Sequence, residues 1–354
     1  LDDKMGKLGV YVASRYKSVL TASVIISVSI LSLIPLNEIN DDFVKYFDES
    51  VQYRQDTDWI SRTLTGVNQV QFSLPSGESN GVSDPDFIEK VSNFTTWANK
   101  EPVVTHVQSI SDTFKRLNRD LNAGDPAFYR VPDTRELAAQ YLLLYELSLP
   151  YGLDLNNQLD INKSSTQVIV TIDDMTTNEL RAWIARAENY LADELGFTLT
   201  AVGPTVMFAY ISERNIQSML LGTLVAVFLI SGVILIALRD VRLGIISLIP
   251  NLLPAALAFG LWGLLVGQVN MAVAVVAGMA LGVVVDDSVH FLSKYQIARR
   301  ELKLSANDAV ISAFNGVGTA LVVTTLILTA GFAILAQSTF GVNSYMAMLT
   351  GIAC

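Results

Sequence analysis

The stretch 271–289, "MAVAVVAGMALGVVVDDSV", decides how this chain is read. It is apolar along its length except for two adjacent aspartates near its end, Asp286 and Asp287. A carboxylate on a membrane-spanning helix costs about 2.5–3.5 kcal/mol on insertion scales, and ionisable residues inside a span mark ion paths, proton relays or counter-ions. The bland alternative is a capped helix end at the interface. Against it, Ser288–Leu292 carries the apolar span past the pair.

Helical spacing puts Ala274, Gly278, Gly282, Asp286 and His290 on one stripe of i,i+4 neighbours. Gly278 and Gly282 form a G-x-x-x-G pair, the pattern that lets a second helix approach closely. His290 reads either as an interfacial histidine or as the inner step of a proton path. Two adjacent carboxylates in low dielectric do not readily both ionise, which suits a proton acceptor. No Lys or Arg lies inside any apolar run. A counter-cation is therefore expected from another part of the protein or another subunit; otherwise Thr319, Thr324, Thr325, Thr329 and Asn251 solvate the pair. Asn251 is bracketed by Pro250 and Pro254, read as a structural kink or a hinge.

Working outward, five runs approach the roughly 20 residues a bilayer requires: 19–36, 219–238, 243–266, 271–292 and 317–336. A sixth begins at Tyr345 and stops at Cys354, too short to cross. The chain starts at Leu1, and both ends read as cuts in a longer protein. Composition agrees with a membrane protein: 51% hydrophobic and 16% charged, against about 25% charged in soluble domains. Ten basic residues flank the runs on one side: Lys4, Lys7, Arg15, Lys17, Arg239, Arg242, Lys294, Arg299, Arg300 and Lys303. An alternating topology puts all of them in the cytoplasm. Residues 1–18 are then a cytoplasmic lead-in, 37–215 an exported domain and 216–354 a transmembrane bundle. The basic segment 294–313 is expected as an amphipathic helix on the inner surface.

The exported segment holds 27 Asp+Glu against 14 Lys+Arg, a net of −13, so the whole-chain −10 is its property. That acidity excludes nucleic acid as a partner. The lone Cys354 leaves the redox compartment open. Periodicity gives strands at 67–74, 103–108, 166–172 and 197–202, with a helix starting at 84–100 and another at 176–195. With the helices at 111–121 and 133–147 taken as an insertion, the order is the ferredoxin-like βαββαβ split. From Thr205 the chain continues helically into the second span, as a transmitter of movement or as a rigid stalk. The stretch "AAQYLLLYELSLPYGL" (138–153) is too apolar to be wholly solvated. Tyr141, Leu144, Tyr145 and Leu149 are candidates for a substrate groove, with burial in the domain core as the alternative. No phosphate loop, Cys/His metal spacing or nucleophile elbow occurs in 37–215, so neither an enzyme nor a metal site is expected.

"LGVVVDDSVHFLSKY" (281–295), with "PNLLP" (250–254) before it and "GVGTALVVTTLILTAGFAILAQS" (316–338) after it, resembles one half of a resistance-nodulation-division (RND) transporter. The resemblance is to the MMPL and hopanoid-exporter branch, whose membrane unit is sterol-sensing-like. It covers essentially the whole chain, strongly in 243–338 and through layout alone in 37–215. It implies an α-helical membrane protein of six spans per half, the sixth cut short here, with an α+β ferredoxin-like periplasmic domain, in a bacterial inner membrane. It implies export of a hydrophobic or lipid-like substrate driven by the proton gradient, with no other cofactor, Asp286 and Asp287 matching the family's relay aspartates. Membrane lipids, the substrate, a second RND half or other subunits, and a periplasmic carrier protein are the implied partners. This chain is taken as the second half from its basic lead-in. Two other readings stand beside it. One is a sterol-sensing, receptor-like module without transport. The other is a protein-translocation motor of the same superfamily, whose motif resembles "GMAVDANV" with one aspartate where this chain has two.

Overall fold

The computed structural model describes residues 2–150, 155–238 and 241–354. Arg239, placed in a cytoplasmic turn by the sequence, and residues 151–153 of the groove stretch lie outside them. In chain order the first elements are α1 (Asp2–Ser14), α2 (Tyr16–Leu31), β1 (Glu38–Ile39), α3 (Gln52–Thr63), β2 (Asn68–Pro75), α4 (Pro85–Ala98), β3 (Val104–Gln108), α5 (Ile110–Leu121) and α6 (Arg135–Ser148). There follow β4 (Ser165–Ile172), α7 (Thr177–Asp193), α8 (Pro204–Leu238), α9 (Val241–Ile246), α10 (Leu248–Leu265), β5 (Gln268–Val269), α11 (Met271–Arg300), α12 (Ala306–Leu335) and α13 (Gly341–Ala353). The chain forms two compact units, Gln52–Ile211 and the remainder.

In the Gln52–Ile211 unit an antiparallel sheet runs in the order β2–β4–β3. Alternation in β2 sends Val70, Phe72 and Leu74 inward, and the paired strand does the same with Val168, Val170 and Ile172. Burying each such side chain stabilises by about 1.5–3 kcal/mol. Helix α4 starts where Asp84 accepts from the Asp86 amide (2.8 Å) and Pro85 takes the first turn. Helix α7 starts at a capping box of Thr176 and Glu179. Phe94 from α4 and Trp183 from α7 both stack edge-on to Phe72, at 5.1 and 6.2 Å.

The expected strand at 197–202 does not form as a strand. One antiparallel bridge joins Val202 to Gln71, on the side of β2 away from β4. The competing bonds are visible: the Ala201 amide donates to the Glu188 carboxylate (2.8 Å) and the Phe197 amide to the Leu191 carbonyl (2.8 Å). Both tie the segment to α7 rather than to a ladder.

Among the described residues five helical stretches are long and apolar enough to cross a membrane: Tyr16–Leu36, Pro204–Ile236, Gly244–Leu265, Met271–Arg300 and Ala306–Leu335. Helices α2 and α10 approach closely at two glycines. A Cβ on Gly260 would sit 2.3 Å from the Ile30 carbonyl oxygen, and one on Gly263 2.6 Å from that of Leu33. Just past the end of helix α10 the chain turns at Gly267, whose φ of +75° suits glycine. Gly267 leads into β5, which pairs in parallel with β1. Trp262, fully buried, donates to the Gln268 carbonyl (2.7 Å) and packs edge-on against Tyr345. Pro254 lies inside α10, whereas Pro250 falls in its first turn, where a missing N–H costs nothing.

The segment 294–313 is not a separate surface helix. Helix α11 runs on to Arg300, Lys303 turns the chain at φ +52°, and Ser305 caps α12 by accepting from the Asp308 amide (3.2 Å). At 30 residues each, α11 and α12 extend about 45 Å, well beyond the roughly 30 Å hydrocarbon core. The basic residues therefore ride on helix ends that overhang that core. The lead-in is itself helical: α1 lies on α12, with Gly9 against Phe314 and Ile311.

Candidate functional site

Helix α11 carries the acidic pair. It begins at Asn270, whose side chain accepts from the Val273 amide (3.0 Å), and its first turns are buried through Val273, Ala274, Val276 and Ala277. Further along, the stripe opens. Ala274 is buried, but Gly278, Gly282, Asp286 and His290 are exposed. A Cβ on Gly282 would meet nothing within 4 Å, and one on Gly278 only the Thr223 hydroxyl at 3.6 Å. Among the described residues Gly282 thus meets no other helix and Gly278 only Thr223 of α8, while Gly260 and Gly263 hold a tighter approach.

At the C-terminal end of the stripe the Asp286 carboxylate lies 3.4 Å from His290 Nε2, with side chains 74% and 61% exposed. One turn of helical spacing brings these two together on the exposed face. Asp287, about 100° further round the helix, is half-buried. The two carboxylates therefore leave α11 in different directions: Asp286 onto the open face, Asp287 toward the bundle.

The polar residues expected to solvate the pair separate into two kinds. Thr324 is exposed and bonds back to its own helix at the Ala320 and Leu321 carbonyls (3.0 and 2.9 Å), so it is committed elsewhere. Thr325 is half-buried. Asn251 is 1% exposed, and neither atom of its side-chain amide has a hydrogen-bond partner. Leaving such an amide unpaired costs about 1–3 kcal/mol per group. It lies 14 residues before the C-terminal end of α10, and Asp286 15 residues after the first residue of α11. At 1.5 Å per residue both are about 21–22 Å in from the β5 turn, hence at similar depth.

The four groove candidates on and after α6 do not converge. Tyr141 is buried in the domain core and donates to the Asn118 side chain (3.2 Å). Tyr145 and Leu149 pack partly buried against the same core. Leu144 points out with Leu143 and Leu147, each more than half exposed. Leu149 alone of the four lines a cavity of 290 Å³, with Glu146, Leu155 and Lys163.

A chain with five apolar helices of spanning length is a multi-pass membrane protein. Its family follows from comparison: the model of the MMPL family matches residues 104–354, more than two thirds of the chain. The protein belongs to the MMPL family, a family of RND-superfamily transporters. No curated protein matches the chain.

Proposed function

We propose that this chain is one half of an RND-type exporter that uses the proton-motive force to move a hydrophobic or lipid-like substrate, with Asp286 and Asp287 as the proton relay. The observation that carries the reading is the adjacent carboxylate pair on a spanning helix of a family member. Asp287 takes the proton on the bundle side, Asp286 on the open face, and His290, 3.4 Å from Asp286, is the next acceptor inward. Buried, unpaired Asn251, at the same depth, offers both a donor and an acceptor to the protonated pair or to water. One charge crossing 100 mV releases about 2.3 kcal/mol, a sufficient scale for a conformational step.

The same reading orders the rest of the chain. The basic residues at one side support a topology with 37–215 outside an inner membrane. The Gln71–Val202 bridge supports a ferredoxin-like order, with residues near 202 beside β2 and then β4 and β3. Helix α13 corresponds to the start of a sixth span. The open face of Gly278, Gly282 and Asp286 is covered by a second RND half. On the exported unit the exposed leucines of α6, Leu144 among them, are the landing surface for an apolar substrate.

The test is Asp286→Asn and Asp287→Asn in the full-length protein reconstituted in liposomes with a pH gradient. Asn keeps shape and hydrogen bonding, so each variant should insert and purify normally yet carry neither protons nor a fluorescent phospholipid. Wild-type flux in either variant removes that residue from the relay. Lipid binding without any proton flux in the unmutated protein would point to a receptor-like module.

A further inference from the structure

A second acidic centre lies at the outer end of α11, and the relay makes no use of it. Asp41 is 2% exposed. One of its carboxylate oxygens accepts from the Tyr46 phenol at 2.5 Å, and the other accepts a short bond from the Ser212 hydroxyl. Tyr46 and Ser212 are themselves buried, at 7% and 2% exposure, so the carboxylate is sealed. The main chain of Met271, the first residue of α11, hydrogen-bonds the same phenol. Burial, and then the neighbouring Asp41, push the Tyr46 phenol far above its ordinary range, so it remains a protonated donor. Asp42, next in the chain, is paired with Lys45 at 2.6 Å.

Three segments meet here. Ser212 comes from α8, Met271 opens the relay helix, and Asp41 and Tyr46 come from the strap that follows β1. That strap is pinned by Glu38 and Asn40, whose amides donate to the Gly267 and Val269 carbonyls. One turn below Ser212, Ile216 packs into the same apolar cluster as Val273 and Val276. An apolar contact tolerates sliding, whereas a charge-assisted hydrogen bond is directional and is lost over a small shift. The polar centre therefore fixes the register of α8 against α11 where the apolar patch alone leaves it adjustable.

We propose that Asp41, gripped by Tyr46 and Ser212, is the positioning residue that couples α8 to the outer end of the relay helix. The proposal rests on the transport reading for its consequence: a change of state at Asp286 and Asp287 is passed along α11 to α8 through this grip. Without the grip, protons cross without substrate.

The test compares Ser212→Val with Ser212→Thr in the full-length protein, a pair alike in shape and differing in the hydroxyl. Two readouts are taken. Hydrogen exchange over 268–273 reports the grip itself; liposomes containing pyranine and a fluorescent phospholipid report lipid moved per proton. Exchange about tenfold faster in the valine variant than in the threonine variant is expected, the effect of losing one hydrogen bond to a charged group. The lipid-to-proton ratio should fall in the valine variant and be restored by threonine, and Tyr46→Phe should repeat the valine result. Equal exchange in Ser212→Val and Ser212→Thr overturns the proposal, as does an unchanged ratio in a protein that transports. Where the unmutated protein moves no protons, the transport reading fails and the exchange comparison alone decides whether the grip exists.

Discussion

Replacing Gly260 by alanine isolates the contact that holds α2 on α10. The added Cβ would lie 2.3 Å from the Ile30 carbonyl oxygen, 2.9 Å from its Cγ2 and 3.0 Å from its carbonyl carbon. Side-chain carbons are essentially never found under 3.0 Å from such atoms, so the backbones must separate by about 0.7 Å. The obstructing atom belongs to the main chain of a helix and cannot rotate away. Overpacking of this kind costs about 1–3 kcal/mol, and every neighbouring contact along the seam loosens with it, including Gly263 against Leu33. Against that stands the intrinsic gain of alanine over glycine in a helix, at most about 1 kcal/mol. The net expectation is a loss of about 1–2 kcal/mol. Gly282→Ala is the matched control: the same residue change in a helix, with nothing within 4 Å of the new carbon. It should be neutral or slightly stabilising in the isolated chain. The assay is unfolding of both variants in detergent micelles, followed by tryptophan fluorescence, since Trp262 lies in the same turn. Equal midpoints for Gly260→Ala and the unmutated protein would refute the close packing of α2 on α10.

Gly282→Leu should leave the fold of this chain intact while abolishing transport by the assembled protein; a drop in stability of the isolated chain as large as that of Gly260→Ala would show that the face is already occupied. Asp160→Asn tests a carboxylate on the Gln52–Ile211 unit. Its ordinary titration is pulled down, first by the Ser164 hydroxyl and then by the amides of Ser165 and Ser164. A depressed carboxylate adds stability that is present above its unfolded titration and lost as pH falls through the folded one. The variant should therefore be less stable than the parent at neutral pH and converge with it in strong acid. Parallel stability curves down to acid pH would rule that out.

The spans were legible because period and length agree: long apolar runs of near 20 residues read as helices whatever they pack against. Their inner ends were not. Lys294 to Ala313 has amphipathic spacing, yet the positive-φ turn at Lys303 and the Ser305 cap divide it between two long helices. The strand at 197–202 has the right alternation, but Glu188 offers its Ala201 amide a side-chain partner that no periodicity reveals. Among glycines, the spacing in the fourth span singled out Gly278 and Gly282, while Gly260 and Gly263 of "GLWG" make the tighter contact. Asp41, Tyr46 and Ser212 escaped for a plainer reason. They are 171 residues apart between Asp41 and Ser212, and only the fold makes them neighbours.

Two kinds of exposed surface coexist on the membrane unit, and they ask for different surroundings. On α8 the exposed side chains are Phe228, Leu229, Val233 and Ile236, and on α12 they are Leu326, Ile327 and Ile334. Hydrocarbon satisfies these without any further protein. On α11 the exposed positions include the stripe Gly278, Gly282, Asp286 and His290, with Met279 beside it. A lipid tail against that strip would face a carboxylate at a cost of about 2.5–3.5 kcal/mol and would gain almost no dispersion contact from the glycines. A helix would instead use the glycines for close approach and could bring the cation that no apolar run of this chain supplies. The arrangement of greasy flanks around one polar, small-residue strip is what a chain needs if its acidic pair is completed by protein rather than by lipid.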